Sequence, residues 1–466
     1  MKLTYDKLLD RISYIFMIVF SLMLYLILLL ASQDNDMFFE IMSGRDLLNG
    51  NFSTVTHLDN FPMIIQQWLY AVVLAIFDNF GYAGHVACVL IQNIILIILS
   101  TIFIKLKSNH NTKTALSISF LALLFCSEYL INIRPQIITM ILLMSQLIML
   151  ELYKKHNKIK YLAFIIPILI LAANFHQAVF LYHILLLVPY YIDTTNKYYI
   201  DIKTLVMTPL YMICSLCTPY GIDGSLYIIR TFQSGVYNLQ LINELSPITA
   251  DSFVGIKLLL VVIATIILIY FRKSNKYLNI YIFGILILSM ISVRHVSILY
   301  IPVIFMLCIL NIKKFNVTKF RVSITVLCMS MTLLLANTAH DITYGYEQIE
   351  TIIEDKDAKI YNSAMDVGGF LEYNGYTKIH IDSRCEAFSE EISGIKDINT
   401  NLYTTNTGYI TTNNYDFATD QHILDIVSQY DYIVADRLDY INRVTERNDN
   451  WIKLYSSKSY TIWKHV

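Results

Sequence analysis

Long apolar runs fill the chain up to about residue 337, and mixed or alternating patterns replace them afterwards. A helix needs roughly 20 apolar residues to span a bilayer, within about 17–25. Runs at 12–32, 82–104, 114–131, 136–153, 161–176, 178–192, 204–218, 254–271, 277–293, 296–312 and 322–337 approach that length. The pattern therefore predicts a polytopic α-helical membrane protein with about 11 transmembrane helices over residues 1–337. Segments 178–192 and 204–218 are short and need flanking aromatics to complete a span. The first run reads as an anchor, because its apolar core exceeds a signal-peptide h-region and no A-x-A-like site follows. The segment 66–79, QQWLYAVVLAIFDN, is too short for a comfortable span. It reads as a helix in the interface, with Trp68 and Tyr70 at headgroup depth; a steep ordinary span is the plainer alternative.

Composition agrees with that class. Of 466 residues, 56% are hydrophobic and 15% charged, and mean hydropathy is +0.51, whereas soluble domains run near 45–50% apolar and about 25% charged. The net charge of −1 hides an asymmetry: residues 1–337 carry 24 Lys/Arg against 15 Asp/Glu, and residues 338–466 carry 11 against 21. That separates a basic hydrophobic domain, 1–337, from an acidic soluble one, 338–466, and leaves no polybasic tract suited to nucleic acid. Six of seven cysteines lie in or beside apolar runs; only Cys385 is in the tail, which excludes a disulfide within it.

Loop charge orients the chain. With the N-terminus in the cytoplasm and eleven alternating spans, inner segments hold 19 Lys/Arg and outer segments, the tail excluded, hold five: Arg45, Arg134, Arg230, Lys257 and Arg294. Cytoplasmic loops carry the excess of Lys and Arg in membrane proteins. The expectation is a multi-pass protein of the cell membrane with the C-terminal domain extracytoplasmic. Counting 66–79 as a span would reverse every later loop.

Chemistry-bearing residues gather on the outer side. The first outer loop has Asp34 and Asp36 at the mouth of the first span; MFFEIMSGRDLL after them has helical spacing, with Met37, Ile41 and Leu48 on one broad face and Asn49-Gly50 closing it. Glu128, Asn132 and Arg134 follow the third span, Asn174 and His176 mark a hairpin, Arg294 and His295 follow the ninth span, and Glu244 lies in the loop 219–253. Ionisable groups at membrane depth are costly, which invites a functional reading. Plainer readings stand beside it. The acidic fraction alone predicts about three acid-x-acid triplets in this chain, so Asp34/Asp36 also suits a solvated helix end. The arginines can snorkel to headgroup phosphate, and His176 can satisfy backbone groups at its turn. Cys214-x-x-Cys217 has no His or carboxylate nearby and reads as packing, not zinc. No Gly-rich phosphate loop, H-E-x-x-H or G-x-S-x-G occurs.

In the tail, KIYN (359–362) and KIHI (378–381) read as strands flanking a helix that begins near Gly368-Gly369. ILDIVSQY (423–430) reads as helix, DYIVAD (431–436) as strand, and WIKLY with YTIWKH as a hairpin around Ser457, giving a small α/β domain. NLYTTNTGYITTNN (401–414) is a Thr/Asn-rich loop, and Asp382 with Arg384 reads as a structural ion pair.

This layout, with D-x-D-M-F-F-E-I-M-S-G-R at 34–45, D-N-F-P…Q-Q-W-L at 59–69, I-R-P-Q at 133–136, A-N-F-H at 173–176, N-E-L-S-P at 243–247, and V-G-G-F-L and I-D-S-R in the tail, resembles the GT-C superfamily of membrane glycosyltransferases. Within it, the chain is similar to bacterial mannosyltransferase-like members that use polyprenyl-phosphate-linked sugars. The resemblance implies a GT-C-like transmembrane domain and an enzyme moving a sugar from a polyprenyl-phosphate carrier to an extracytoplasmic glycan or protein acceptor, with inversion. It implies a catalytic acid at Asp36, with Asp34 second. Substrate-binding candidates are Arg134 and Arg294 for phosphate, and His176, His295 and Glu244 for positioning. The chain departs from the commoner Asp-Glu pair, since Met37 follows Asp36, and Gln66-Gln67 replaces a more usual His-containing approach. No cofactor is implied beyond the lipid-linked donor, no metal ligand set is read, and a divalent metal is left open. A transporter or flippase of a lipid-linked glycan is the second expectation, although the chain shows neither related halves nor paired helix breaks. The third is a non-catalytic membrane scaffold with an external binding domain.

Overall fold

The computed structural model describes residues 11–19, 22, 36–51, 64–108, 110–126, 130, 132–193, 199–233, 253–270, 276–291, 293–309, 346–381 and 417–466. Their helices are, in chain order, α1 (Asp36–Leu48), α2 (Trp68–Asp78), α3 (Gly81–Lys107), α4 (Thr112–Phe125), α5 (Gln136–His156), α6 (Lys160–Ala163), α7 (Ile165–Phe175), α8 (Leu181–Leu185), α9 (Ile202–Cys214), α10 (Gly221–Gln233), α11 (Phe253–Tyr270), α12 (Lys276–Ile291) and α13 (Tyr300–Ile309). Four further helices, α14 (Glu347–Ile352), α15 (Met365–Tyr373), α16 (Phe417–Val427) and α17 (Ile441–Glu446), accompany a small sheet near the end of the chain. The chain divides into two units: Met1–Gln33, Gln66–Ile228 and Asn243–His340 form one, and Asp34–Ile65, Ile229–Ile242 and Asp341–Val466 the other.

The first unit is helical. Among the described residues, α3, of 27 residues, and α5, of 21, are long and apolar enough to cross a membrane. The other apolar helices are shorter. Local chemistry sets their ends. Asn111 caps α4, its Oδ1 accepting from the Thr114 N–H at 2.8 Å. Asp201 caps α9 by accepting from the Lys203 N–H at 3.1 Å and the Thr204 hydroxyl at 2.8 Å, as side-chain oxygens do for orphan donors. Lys154, Lys155 and His156 fill the last turn of α5, where cations complement the helix dipole. Asn157 then ends it in the left-handed region at φ 52°.

The segment 178–192, expected as one span, is broken: a 3-10 turn at Gln177–Val179, the five-residue α8, and a second 3-10 turn at Val188–Tyr190. Pro189 has no N–H to give a continuing helix. The expected span 296–312 likewise opens with a 3-10 turn, Val293–Leu299, before α13. The expected span 322–337 lies outside the described residues, as does most of 12–32, of which 12–19 and 22 are helical. Between α9 and the preceding turn, β1 (Ile192–Asp193) and β2 (Tyr199–Ile200) pair antiparallel.

The corner between α2 and α3 is tightly built. Gly81 adopts φ +58°, and a Cβ on Gly84 would fall 1.9 Å from the Phe77 carbonyl oxygen. Only glycine lets the start of α3 approach the end of α2 that closely. Asp78 and His85, both buried, then meet at 2.8 Å across the corner.

The second unit is α/β. Strands β3 (Ile360–Asn362), β4 (Tyr432–Asp436), β5 (Trp451–Ser456) and β6 (Tyr460–His465) form one sheet in the order β3-β4-β6-β5. The β3–β4 pair is parallel and the rest antiparallel. Central β4 buries Ile433, Val434 and Ala435 in succession, the continuous apolar run of a strand covered on both faces. Its core gathers Tyr361, Ile423, Val427, Ile433, Trp451 and Trp463. Edge strand β5 is mostly exposed and carries Lys453 with an irregularity between Lys453 and Tyr455, features that blunt an open edge.

Two expectations shift in detail. The helix expected near Gly368-Gly369 begins at Met365, so both glycines are buried inside it. KIHI forms one parallel bridge, Ile379 to Ile360, not a strand. The fully buried Asn362 takes over the ladder there. Its Nδ2 donates to the Ile381 and Ala364 carbonyls at 2.7 and 2.9 Å, and its Oδ1 accepts from the His380 and Ile381 N–H groups at 3.1 and 3.3 Å.

Helix α1 belongs to this second unit. It buries Met37, Phe38 and Ile41 and exposes Leu48, which was expected on the same face; Asn49 and Gly50, at φ +82°, close it.

Candidate functional site

A polar cluster gathers where α5 begins and α7 ends. The turn 132–135 leads into α5, and half-buried Arg134 sits in it with its N–H donating to the Asn132 carbonyl at 2.9 Å. One turn into α5, buried Thr139 shares a 2.9 Å hydrogen bond with Nδ1 of buried His176, the residue at which the chain leaves α7. Asn174, in the last turn of α7, accepts from Trp68 Nε1 at 2.8 Å and donates to the Cys217 carbonyl at 2.8 Å. Gln177 donates to the Ser215 carbonyl at 3.1 Å, and its N–H donates to the Gln66 carbonyl at 3.1 Å. Four stretches distant in sequence thus converge on one end of two apolar helices. Buried polar groups are hydrogen-bonded in native proteins, and here they pair as Thr139 with His176 and Trp68 with Asn174, or bond backbone carbonyls.

His295 lies on the 3-10 turn Val293–Leu299, half-buried, hydrogen-bonded through Nδ1 to the Tyr182 hydroxyl, with the two rings edge to face at 5.8 Å. Tyr182 is six residues beyond His176, so both histidines are anchored to the same broken segment. Arg294 is on the same 3-10 turn as His295. Asp36 opens α1 in the second unit. Asp34 and Glu244 lie outside the described residues, as do Glu128, Asp382 and Arg384. The structure therefore ties His176 to the first turn of α5, places Arg134 in the turn just before that helix, and ties His295 to Tyr182.

Three polar constellations were not read from the sequence. One is the Asp78–His85 pair. The second, within the helices, is Gln146, whose Nε2 donates to the His183 carbonyl at 2.9 Å and the Tyr211 hydroxyl at 2.7 Å, and whose Oε1 meets His183 Nδ1 at 2.6 Å. The third joins Lys107 and the Tyr190 hydroxyl to Glu151 at 2.5 and 2.6 Å. Polar residues inside apolar runs were the available signal: Gln146, beside Ser145, and His183, beside Tyr182, interrupt aliphatic stretches, and Asp78 and His85 sit seven apart around a glycine corner.

In the tail, His380 stacks on Tyr361 at 4.5 Å and shares a 2.9 Å hydrogen bond with the Tyr430 hydroxyl. Burial pushes its imidazole pKa down to about 4, because a low-dielectric site disfavours the charged form. A crevice of about 310 Å³ lies beside β5 and α17, lined by Arg437, Asn442, Arg443, Glu446 and Lys453, with Lys453 paired to Glu446 at 2.7 Å. Among the described residues no group of three His, Cys, Asp or Glu side chains is placed to hold a metal ion. No family model and no curated protein matches this chain.

Proposed function

We propose that this chain is a multi-pass membrane glycosyltransferase of the GT-C type. In this reading it moves a sugar from a polyprenyl-phosphate carrier to an acceptor outside the cytoplasm. The observation that carries the reading is the convergence of Trp68, Arg134, Thr139, Asn174 and His176 at one end of apolar helices. Two further patterns support it. Helices of the first unit turn large aliphatic side chains outward and polar ones inward, as lipid solvent requires. Lysine-rich ends also meet one another: Lys107 pairs with Glu151, and the Lys113 ammonium sits 5.5 Å from the Tyr14 ring centroid. With the N-terminus cytoplasmic, those ends face inward and the polar cluster faces outward. Helix α2 has Trp68 at the outer end of α7 and is joined through Gly81 to the outer end of α3, which supports its lying in the interface.

The donor already carries a good leaving group, so the protein must activate an acceptor hydroxyl and stabilise departing phosphate. Asp36 takes the hydroxyl proton. Arg134 or Arg294 holds the phosphate by charge-assisted hydrogen bonds, which guanidinium geometry suits. His176, His295 and Glu244 position the sugar, and direct attack inverts the anomeric carbon. The test is transfer from a panel of radiolabelled polyprenyl-phosphate sugars by the reconstituted protein. Removing a general base costs about 10²–10⁴-fold, so Asp36→Asn is expected to lose transfer by that factor while remaining folded. Near-normal transfer by both Asp36→Asn and Asp34→Asn overturns the assignment.

One observation favours the second reading, a flippase of a lipid-linked glycan. The broken segment 177–190 and the buried Gln146–His183–Tyr211 network resemble the interrupted helices at transporter sites. That reading predicts glycolipid movement across vesicles that Asp36→Asn leaves intact.

A further inference from the structure

The second unit holds a contact between segments more than 300 residues apart in sequence. Phe38, in the first turn of α1, is 3% exposed. Its ring meets Phe370 edge to face at 5.3 Å and Tyr373 at 4.9 Å, both on α15. Two turns further along the same face, the Arg45 guanidinium sits 4.8 Å from the Tyr373 ring centroid. Phe370 in turn meets Tyr346 at 5.6 Å, and Tyr346 meets Tyr460 of β6 at the same distance. An unbroken aromatic series therefore runs from α1 into the sheet. Phe38 and Arg45 are seven residues apart, two turns of helix, so they lie on one face. Buried aromatic pairs add directional preference beyond area burial, and guanidinium over a ring adds a second fixed point.

We propose that α15 is the seat of α1, and that Phe38, Arg45, Phe370 and Tyr373 are positioning residues that set the location of Asp36, the first residue of α1. This rests on the catalytic reading of Asp36, and it gives the C-terminal domain a task in the reaction. Misplacing a catalytic group by about 1 Å can cost on the order of 10²-fold.

The contact is tested first without any chemistry. In full-length protein with its native cysteines replaced and a protease site inserted after His340, Phe38→Cys and Phe370→Cys are combined, oxidised in membranes, cleaved and run without reductant. The two fragments are expected to stay linked, whereas Leu48→Cys with Phe370→Cys leaves them separate. No link in the first pair, or equal linking in both, overturns the proposal.

Transfer is tested second, with the polyprenyl-phosphate sugar that wild type uses. Tyr373→Ala is expected to lower kcat at least about tenfold with KM for the donor unchanged, and Tyr373→Phe to restore it. In an Asp36→Asn background, Tyr373→Ala is expected to add no further loss. An equal loss in both backgrounds shows an effect independent of Asp36 and overturns the positioning role. Absence of transfer by wild type overturns the catalytic reading instead, while the linking result still decides the contact.

Discussion

The two units solve burial in opposite ways. On α3, Ile91, Ile94, Ile95, Ile98 and Ile102 face outward while Gln92, Asn93, Ser100 and Thr101 are buried. In the sheet unit, Ile433, Val434, Ala435 and Trp463 are buried while Lys453 and Glu446 are exposed. The first pattern suits an apolar solvent and the second suits water. A consequence follows for how each is held together. With the helical unit in lipid, as proposed, specific order would come from close backbone approach and from polar pairs such as Gln146 with His183 and Tyr211, because lipid supplies no hydrophobic drive between helices. In the sheet unit, apolar burial supplies the drive, and polar groups such as Asn362 only complete the backbone accounting.

The contrast is broken most sharply at glycine. Gly84→Ala places a Cβ against the Phe77 carbonyl, so it is expected to destabilise the helical unit by about 2–4 kcal/mol, an overpacking cost. Gly284→Ala, in α12 with nothing within 4 Å, is expected to be neutral or to gain up to about 1 kcal/mol from helix propensity. Thermal unfolding of both variants in detergent checks the pair; equal melting temperatures would mean that close approach at the α2–α3 corner is not what holds it.

A smaller effect sharpens the other side. His380 has a folded pKa near 4 against about 6.5 unfolded. The imidazole is neutral in the folded tail, so the unfolded chain binds the proton first as pH falls. Stability is complete above about pH 6.5 and is lost between there and about pH 4, amounting to about 1–2 kcal/mol at pH 5. Denaturant titration of full-length protein at pH 7 and 5, followed by Trp451 and Trp463 in a Trp68→Phe background, reads this loss. His380→Phe, which keeps the ring on Tyr361, is expected to remove it. The same pH dependence in both proteins would assign it to other groups.

Much of the fold was legible in the sequence because periodicity and caps act locally. The runs now α3, α5, α7 and α9, the helix α1 closed at Asn49-Gly50, and the hairpin of β5 and β6 follow from spacing alone. What sequence could not supply was nonlocal. Nothing in KIHI announces that the Asn362 side chain will replace its strand ladder, and nothing in MFFEIMSGRDLL indicates that its aromatic face seats on α15. Of the candidate site, His176 and Arg134 were legible as polar residues at predicted span ends. The bond of His176 to Thr139 was not, since a threonine in an apolar run gives no sign of its partner.

The account depends on α1 and the tail being outside the cytoplasm while the loop after α5 is inside. Leu48→Cys and Leu438→Cys replace exposed side chains of the second unit, and Lys158→Cys replaces an exposed one in that loop. Labelling with a membrane-impermeant thiol reagent in cells with the outer surface accessible and the cell membrane intact tests this directly. The account predicts that Leu48→Cys and Leu438→Cys label in intact cells and that Lys158→Cys labels only after permeabilisation. Protection of Leu438→Cys until permeabilisation, or labelling of Lys158→Cys before it, would contradict the orientation and the proposed site of sugar transfer with it.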